Sequence, residues 1–85
     1  MKEILKFSAP WCAPCKALAM TMAEAGDLGV SSIREINVDI DKDSARQYGV
    51  RTIPTLILLE LGRETKRVNG NITLKQLKEF ANETI

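Results

Sequence analysis

Two cysteines three residues apart, Cys12 and Cys15, are the side chains of this sequence best suited to chemistry. They are the only cysteines among 85 residues, and the chain has no histidine. The lack of histidine excludes Ser-His-Asp and Cys-His catalysis and every metal site with a histidine ligand. Two cysteines are too few for a four-cysteine zinc or iron–sulfur site within one chain. The spacing therefore predicts a redox-active dithiol, with an inert buried pair or half of a metal site shared between subunits as the alternatives.

The pair falls where a predicted strand over residues 3–8 gives way to a predicted helix over residues 12–25. The first N–H groups of a helix lack backbone partners, and the helix dipole adds partial positive charge there, so both favour a thiolate. Pro14 suits this first turn because it has no N–H to leave unpaired. Cys15 lies one turn further on the same face, within reach of Cys12. We expect Cys12, the nearer to the surface, to attack a substrate disulfide and Cys15 to resolve the mixed disulfide.

Five further elements complete the predicted fold around this helix. The sequence predicts strands at 32–38, 55–61 and 64–69 and helices at 41–48 and 73–82. The order β-α-β-α-β-β-α implies a parallel, right-handed βαβ unit at the start and a hairpin near the end. Because residues 55–61 are almost all apolar, the strand that they form should be covered on both faces. We therefore predict a single α/β domain over residues 1–85, with a mixed four-stranded sheet and helices on both faces.

The composition predicts a globular protein without a nucleic-acid or membrane partner. Hydrophobic residues make up 45% of the chain and charged residues 27%, which are ordinary values. The net charge of +1 is too small to draw the protein to nucleic acid or to an anionic membrane. No apolar run approaches the roughly 18 residues of a membrane helix, and residues 1–6 are too short and too charged for a secretory signal. We expect a monomeric, cytoplasmic protein.

Several motifs occur in an order and at a spacing that point to one family. The sequence Trp-Cys-Ala-Pro-Cys-Lys at residues 11–16 is similar to the Trp-Cys-Gly-Pro-Cys-Lys of thioredoxins. Further family landmarks are Asn-Val-Asp at 37–39, Tyr-Gly-Val-Arg at 48–51, Ile-Pro-Thr at 53–55, Gly70, and Gln-Leu-Lys-Glu-Phe at 76–80. The chain thus resembles the thioredoxin family over nearly all of its length. The resemblance implies a minimal thioredoxin-like fold and a protein-disulfide reductase that needs no bound cofactor and is restored by a thioredoxin reductase.

The same resemblance assigns a substrate-binding surface. Ile53-Pro54 is similar to the cis-proline turn that faces the cysteines in the family, and the Ile53 backbone would pair with an extended substrate segment. Trp11 and Gly70 would complete an apolar rim around Cys12. The candidate substrate-binding residues are then Trp11, Ala13, Pro14, Ile53, Pro54 and Gly70. Packing in the core is the alternative for Trp11, and an ordinary trans turn is the alternative for Pro54.

One pair of charges departs from the family pattern. Thioredoxins usually carry a buried Asp six residues before the first cysteine, near a Lys on the next strand, whereas the matching residues here are Lys6 and Glu35. A lone lysine in an apolar strand is expensive to bury, so we predict that Lys6 and Glu35 form a partly buried pair beneath Cys15. As catalytic residues, Glu35 or water held by it would accept the Cys15 proton, and Lys6 would stabilise the thiolate. The alternative is that Lys6 extends to solvent.

Two other functions stay open from the sequence. A glutaredoxin-like protein restored by glutathione is favoured by the short chain, which lacks the N-terminal strand and helix common in thioredoxins. Against this, Ala13-Pro14 and Ile53-Pro54 are more similar to thioredoxin. A binding subunit that uses the fold without redox chemistry is the third possibility, and the presence of both cysteines, Pro14 and Pro54 argues against it.

Overall fold

The computed structural model describes residues 1–82 and contains the seven elements that the sequence predicts, in the same order. Each observed end lies within one residue of its predicted position. The strands are β1 (Lys2–Ser8), β2 (Ser32–Asn37), β3 (Thr55–Glu60) and β4 (Arg63–Asn69), and the helices are α1 (Ala13–Ala25), α2 (Lys42–Gln47) and α3 (Leu74–Asn82).

The four strands form one mixed sheet in the order β2-β1-β3-β4. Strands β1 and β2 are parallel, whereas β3 is antiparallel to both of its neighbours, β1 and β4. The predicted mixed sheet is therefore confirmed. Strand β1 is central, so its carboxyl end delivers the chain directly into the cysteine motif from the middle of the sheet.

Strand β3 supplies apolar side chains to two cores, one on each face of the sheet. Leu56 and Leu58 pack with residues of α1 and α3 on one face, whereas Ile57 and Leu59 join a second core on the other face. Ala45 of α2 packs against that second core. Because successive strand residues point to opposite faces, a continuous apolar strand needs cover on both sides, and the helices provide it as predicted.

The ends of α2 and α3 are fixed by side chains that bind free backbone N–H groups. Asp41 caps α2 by accepting hydrogen bonds from the N–H of Ser44 at 3.0 Å and from its hydroxyl at 2.7 Å. Thr73 and Gln76 form a reciprocal capping box at the start of α3, with bonds of 3.1 and 2.8 Å. Within residues 1–82, no helix is both long enough and apolar enough to cross a membrane.

Candidate active site

Cys12 and Cys15 are joined by a disulfide across the first turn of α1, with their Cα atoms 5.2 Å apart. Cys12 is the N-cap of the helix, and its Sγ accepts a hydrogen bond from the Cys15 N–H at 3.2 Å. The sulfur thus takes one of the N–H groups that a helix start leaves unpaired. When the disulfide is reduced, the same N–H and the helix dipole favour the Cys12 thiolate.

Exposure does not distinguish the two cysteines. Cys12 is 4% exposed and Cys15 is 3% exposed, so any difference in exposure in favour of Cys12 is very small. The reason is packing: both cysteines form a small cluster with Ala9, against which Val38 and Ile53 pack. The surroundings do differ, because Cys12 follows exposed Trp11, whereas Cys15 lines a half-open pocket.

Trp11 projects beside the cysteines and is held in place by a hydrogen bond. The residue is 68% exposed, so the alternative of core packing is wrong. Its Nε1–H donates to Oδ2 of Asp39, just after β2, at 2.7 Å. Ala13 and Pro14, which separate the cysteines, are also exposed. The indole therefore has a fixed orientation although most of its surface faces solvent.

The Ile53-Pro54 turn lies against the cysteine pair. The peptide bond is cis, as the resemblance implied, and Ile53 packs against the cysteine cluster. The N–H of Gly70 donates to the Pro54 carbonyl at 2.8 Å. Gly70 has φ of 77°, a conformation that favours glycine, and a Cβ built there would meet nothing within 4 Å. Backbone conformation rather than crowding thus accounts for this glycine.

A hydrogen-bonded group behind the turn was not predicted from the sequence. The amide of Asn69 donates to the hydroxyls of Thr52 and Thr55 at 3.1 and 2.9 Å, and the Thr55 hydroxyl donates to the Thr52 carbonyl at 2.7 Å. These bonds join the end of β4 to the residues that precede and follow the cis bond. The sequence signal that could have indicated this group was Thr55, a polar residue at the start of an apolar strand. The structure buries Thr55 fully.

Lys6 and Glu35 are brought together by the parallel register of β1 and β2. The Lys6 Nζ lies 3.2 Å from Glu35 Oε2, with 11% of the lysine side chain and 63% of the glutamate side chain exposed. Ser8, on the same face of β1, donates its hydroxyl to Oε2 at 3.1 Å. Lys6 therefore pairs with Glu35 instead of extending into solvent. The pair is asymmetric, because the cation is buried and the anion lies at the open edge of the sheet.

These contacts change the acidity of Glu35 and connect it to the cysteines. The hydrogen bond from Lys6, followed by that from Ser8, lowers the pKa of Glu35 below its ordinary value. Both charged residues line a cavity of about 290 Å³ that Cys15 also lines. The arrangement thus places an ammonium and a carboxylate around the space next to Cys15.

The acidic residues after β2 have roles other than metal binding. Asp41 caps α2, Asp39 binds the Trp11 indole, and Asp43 lies in the first turn of α2. Over residues 1–82, no group of three or more potential metal ligands comes together.

Comparison with known proteins identifies the family of this arrangement. The sequence model of the thioredoxin family matches residues 1–83. The chain belongs to the thioredoxin family. Its Cys12–Cys15 pair is a thioredoxin-type dithiol, and the protein is a protein-disulfide oxidoreductase. The predicted membership of the thioredoxin family is therefore confirmed.

Individual thioredoxins show the extent of the similarity. The chain is 38% identical to the thioredoxin of Haemophilus influenzae over 84 residues, which cover 96% of this chain and 78% of that protein. It is 45% identical to the thioredoxin of Chlamydia caviae over 69 residues, which cover 79% of this chain and 67% of that protein.

Solved structures extend the likeness to three dimensions. A mutant thioredoxin from Halobacterium salinarum superimposes with a TM-score of 0.83 at 30% identity, covering 99% of this chain and 77% of that one. A malaria parasite thioredoxin-2 shares the fold, with a TM-score of 0.88 at 22% identity. The superposition covers 99% of this chain and 84% of that one. The predicted thioredoxin-like fold is therefore confirmed.

Proposed function

We propose that this thioredoxin-family protein reduces disulfides of other proteins in the cytoplasm, with Cys12 as the attacking thiolate and Cys15 as the resolving thiol. The observation that supports this assignment is the hydrogen bond from the Cys15 N–H to Cys12 Sγ at the N-cap of α1. It favours negative charge on Cys12 rather than on Cys15.

The reaction proceeds by two thiol–disulfide exchanges. The Cys12 thiolate attacks one sulfur of the substrate disulfide, forms a mixed disulfide and releases the other substrate sulfur as a thiolate, which takes up a proton. Cys15 then loses its proton and attacks Cys12 Sγ, which closes the Cys12–Cys15 disulfide and releases the second substrate thiolate. The second substrate thiolate also takes up a proton, so the substrate gains two electrons and two protons. The dithiol supplies both electrons, the Cys15 proton and the proton that Cys12 released when it ionised.

The substrate segment lies, in this proposal, across the surface made by the Trp11 indole, Ala13-Pro14 and the Ile53-Pro54 turn. The Ile53 backbone pairs with an extended segment in the manner of an added strand. Gly70 supports the turn through its bond to the Pro54 carbonyl. The exposed indole and the absence of a side chain at Gly70 leave this surface open to a polypeptide.

Lys6 and Glu35 act, in this proposal, on the resolving step. Glu35, or water in the cavity beside it, receives the Cys15 proton, while the Lys6 ammonium stabilises the Cys15 thiolate. Because the pKa of Glu35 is lowered, this group is a carboxylate throughout the neutral range. Reduction rates of Glu35→Gln and wild type, compared from pH 6 to 9, test the role. Identical rates across that range would contradict proton transfer through Glu35.

The assignment of the cysteines is tested by trapping the mixed disulfide. The Cys15→Ser variant, mixed with a disulfide-bonded peptide, should accumulate a covalent adduct on Cys12 that mass spectrometry detects. The Cys12→Ser variant should form little adduct and should lose turnover. Preferential adduct formation on Cys15 would reverse the assignment. A double Cys→Ser variant that retained its full biological function would instead favour a redox-independent binding subunit.

The electron donor and the compartment are part of the same proposal. A thioredoxin reductase restores the dithiol, because the family pairs this type of protein with such an enzyme. A dithiol of this function is maintained in a reducing compartment, which supports the cytoplasm. Recycling by NADPH with thioredoxin reductase, compared with recycling by glutathione, separates the donors, and fractionation of cells expressing the protein tests the compartment.

A further inference from the structure

A depression beside the active site, here named the basic groove, combines an apolar floor with positive charge. It has a volume of about 420 Å³, an apolar floor of Val38, Ala45 and Val50, and three cationic residues, Lys42, Arg46 and Arg51. The three apolar residues also pack against the core beneath α2. The groove is therefore built on a fixed part of the fold.

The inner end of the basic groove adjoins the cysteines. Val38 lines the groove and also packs, together with Ile53, against the cluster that contains Cys12 and Cys15. Arg51 precedes Ile53 by two residues. A substrate segment that pairs with the Ile53 backbone would therefore continue past Arg51 towards α2, where Lys42 and Arg46 lie one turn apart.

The positive charge of the basic groove is available to a partner. All three cationic residues are exposed, and no acidic residue among residues 1–82 lines the groove. Over the same part of the chain, Arg46 has one ion pair, with Asp43 at 3.8 Å. Both side chains of this pair are at least 80% exposed, so the pair is weak.

Two of the nearby acidic residues form hydrogen bonds outside the groove, and the third, Asp43, pairs weakly with Arg46. Asp39 accepts the Trp11 indole N–H, and Asp41 caps α2 through Ser44. The donors of these bonds are neutral, so both carboxylates keep their charge. Among residues 1–82, the groove lining itself still carries three positive charges and no negative one, in a chain with a net charge of +1.

We propose that the basic groove binds an acidic segment next to the disulfide of the substrate protein. The inference rests on the disulfide-reducing function and specifies the substrate class that this site prefers. Aspartate or glutamate side chains of the segment pair with the three cationic residues, and its apolar side chains contact the floor. Charges of this kind act mainly by speeding association, and salt screens them.

Two matched peptides test the proposal. Each carries the same disulfide to a reporter thiol, flanked on one side by three Glu residues in one peptide and three Gln residues in the other. With pre-reduced wild-type protein at low salt, we expect kcat/KM for the acidic peptide to exceed that for the neutral peptide about tenfold. The ratio should fall towards one as added salt shortens the screening length to about 3 Å at 1 M.

A pair of triple variants locates the effect. Lys42→Gln/Arg46→Gln/Arg51→Gln should bring the acidic-to-neutral ratio close to one. The control Arg63→Gln/Lys75→Gln/Lys78→Gln removes the same charge from exposed residues outside the groove and should keep the wild-type ratio. A wild-type ratio near one, or a ratio that survives in the groove variant or is lost equally in the control, would overturn the proposal.

Two further outcomes distinguish substrate binding in the groove from a role in recharging and from a failure of the reaction itself. If the groove variant kept the peptide ratio but was recharged more slowly by thioredoxin reductase, the groove would belong to the reductase and the substrate proposal would be wrong. If wild-type protein reduced neither peptide, the disulfide-reducing function itself would fail. Reduction of the neutral peptide without a preference would contradict only the groove.

Discussion

The Trp11 side chain illustrates how one hydrogen bond orders an exposed part of the site. Its indole N–H donates to Asp39, although the residue is 68% exposed. Such a bond contributes about 1 kcal/mol, which is enough to keep the ring in one orientation. The proposed substrate surface therefore depends on a residue, Asp39, that itself lies outside it.

Replacing Asp39 by alanine should weaken substrate binding while destabilising the fold only slightly. Asp39→Ala frees the indole, and a loss of about 1 kcal/mol lowers kcat/KM for a peptide disulfide about fivefold. The thermal midpoint should fall by no more than about 4–8 °C, because the bond contributes about 1 kcal/mol. Asp39→Asn, which keeps an oxygen acceptor, is the matched control and should retain most of the activity. Equal activities for both variants and wild type would show that the indole needs no support.

The Lys6–Glu35 pair should make stability depend on pH in a defined direction. Lys6 first and Ser8 second lower the pKa of Glu35 in the folded protein. A carboxylate with a lowered folded pKa adds stability above its unfolded pKa of about 4.3, and this stability is lost as pH falls through the folded value. Because Glu35 is mostly exposed, we expect wild type to exceed Glu35→Gln by only about 1 kcal/mol at pH 7.

Urea unfolding between pH 2.5 and 7 measures this difference. The gap between wild type and Glu35→Gln should persist down to about pH 5 and then shrink as Glu35 takes up its proton. Glu79→Gln, which changes an exposed carboxylate of α3, should leave the pH dependence of wild type unaltered. A gap that stayed constant down to pH 2.5 would show that the ionised pair does not stabilise the fold.

At the scale of the elements, the residue that follows β4, Gly70, holds the Pro54 carbonyl in place through a hydrogen bond. Gly70 has φ of 77° and donates a hydrogen bond to the Pro54 carbonyl, and a Cβ built on it would meet nothing within 4 Å. Gly70→Ala should therefore cost about 1–2 kcal/mol through backbone conformation alone and should raise KM for peptide disulfides. The two effects are measured by urea unfolding and by steady-state kinetics.

A second glycine offers a matched control. Gly62 joins β3 to β4 at the opposite end of the hairpin, has φ of 81° and also has nothing within 4 Å of a built Cβ. Gly62→Ala should lose similar stability but keep the wild-type KM. If Gly70→Ala and Gly62→Ala both kept the wild-type KM, the bond between Gly70 and Pro54 would have no role in substrate binding.

The elements were predictable because their ends carry local signals. Gly26 ends α1, Asp41 caps α2, and Thr73 caps α3, and each interaction involves residues close in sequence. The Asn69 group was not predictable, because it joins residues 14 and 17 positions apart that meet only after β3 and β4 have paired. The burial of Cys12 was missed for the same reason, since Val38 and Ile53 reach it from other elements.

The candidate site was predictable to a similar degree. The cysteine pair and the facing Ile53-Pro54 turn followed from spacing and from family motifs. The Lys6–Glu35 contact was predictable because a lysine in an apolar strand is costly to bury without an anionic partner. The parallel register of β1 and β2 places Glu35 beside it. The basic groove has no sequence motif, because Arg51 and the α2 cations become neighbours only when the chain folds.

The fold as a unit contains two cores that share the two central strands, β1 and β3. Leu58 belongs to the core under α1 and α3, whereas Ile57 belongs to the core under α2, and both residues are fully buried. Neither core can lose β3 while the other stays intact. A chain of this length should also have a free energy of unfolding of only about 4–13 kcal/mol. A partly folded state with a single core would bury too little apolar surface to be stable.

Unfolding should therefore be a single cooperative transition, and damage to either core should affect the active site equally. Leu58→Ala and Ile57→Ala should each lower the free energy of unfolding by about 2–5 kcal/mol. In wild type and in both variants, the urea midpoints from far-UV circular dichroism and from Trp11 fluorescence should coincide, as two-state unfolding requires. If Ile57→Ala moved the fluorescence midpoint below that of circular dichroism, the core under α2 would open by itself. Val38 and Ile53, which pack against both that core and the cysteines, would then couple this opening to the redox site.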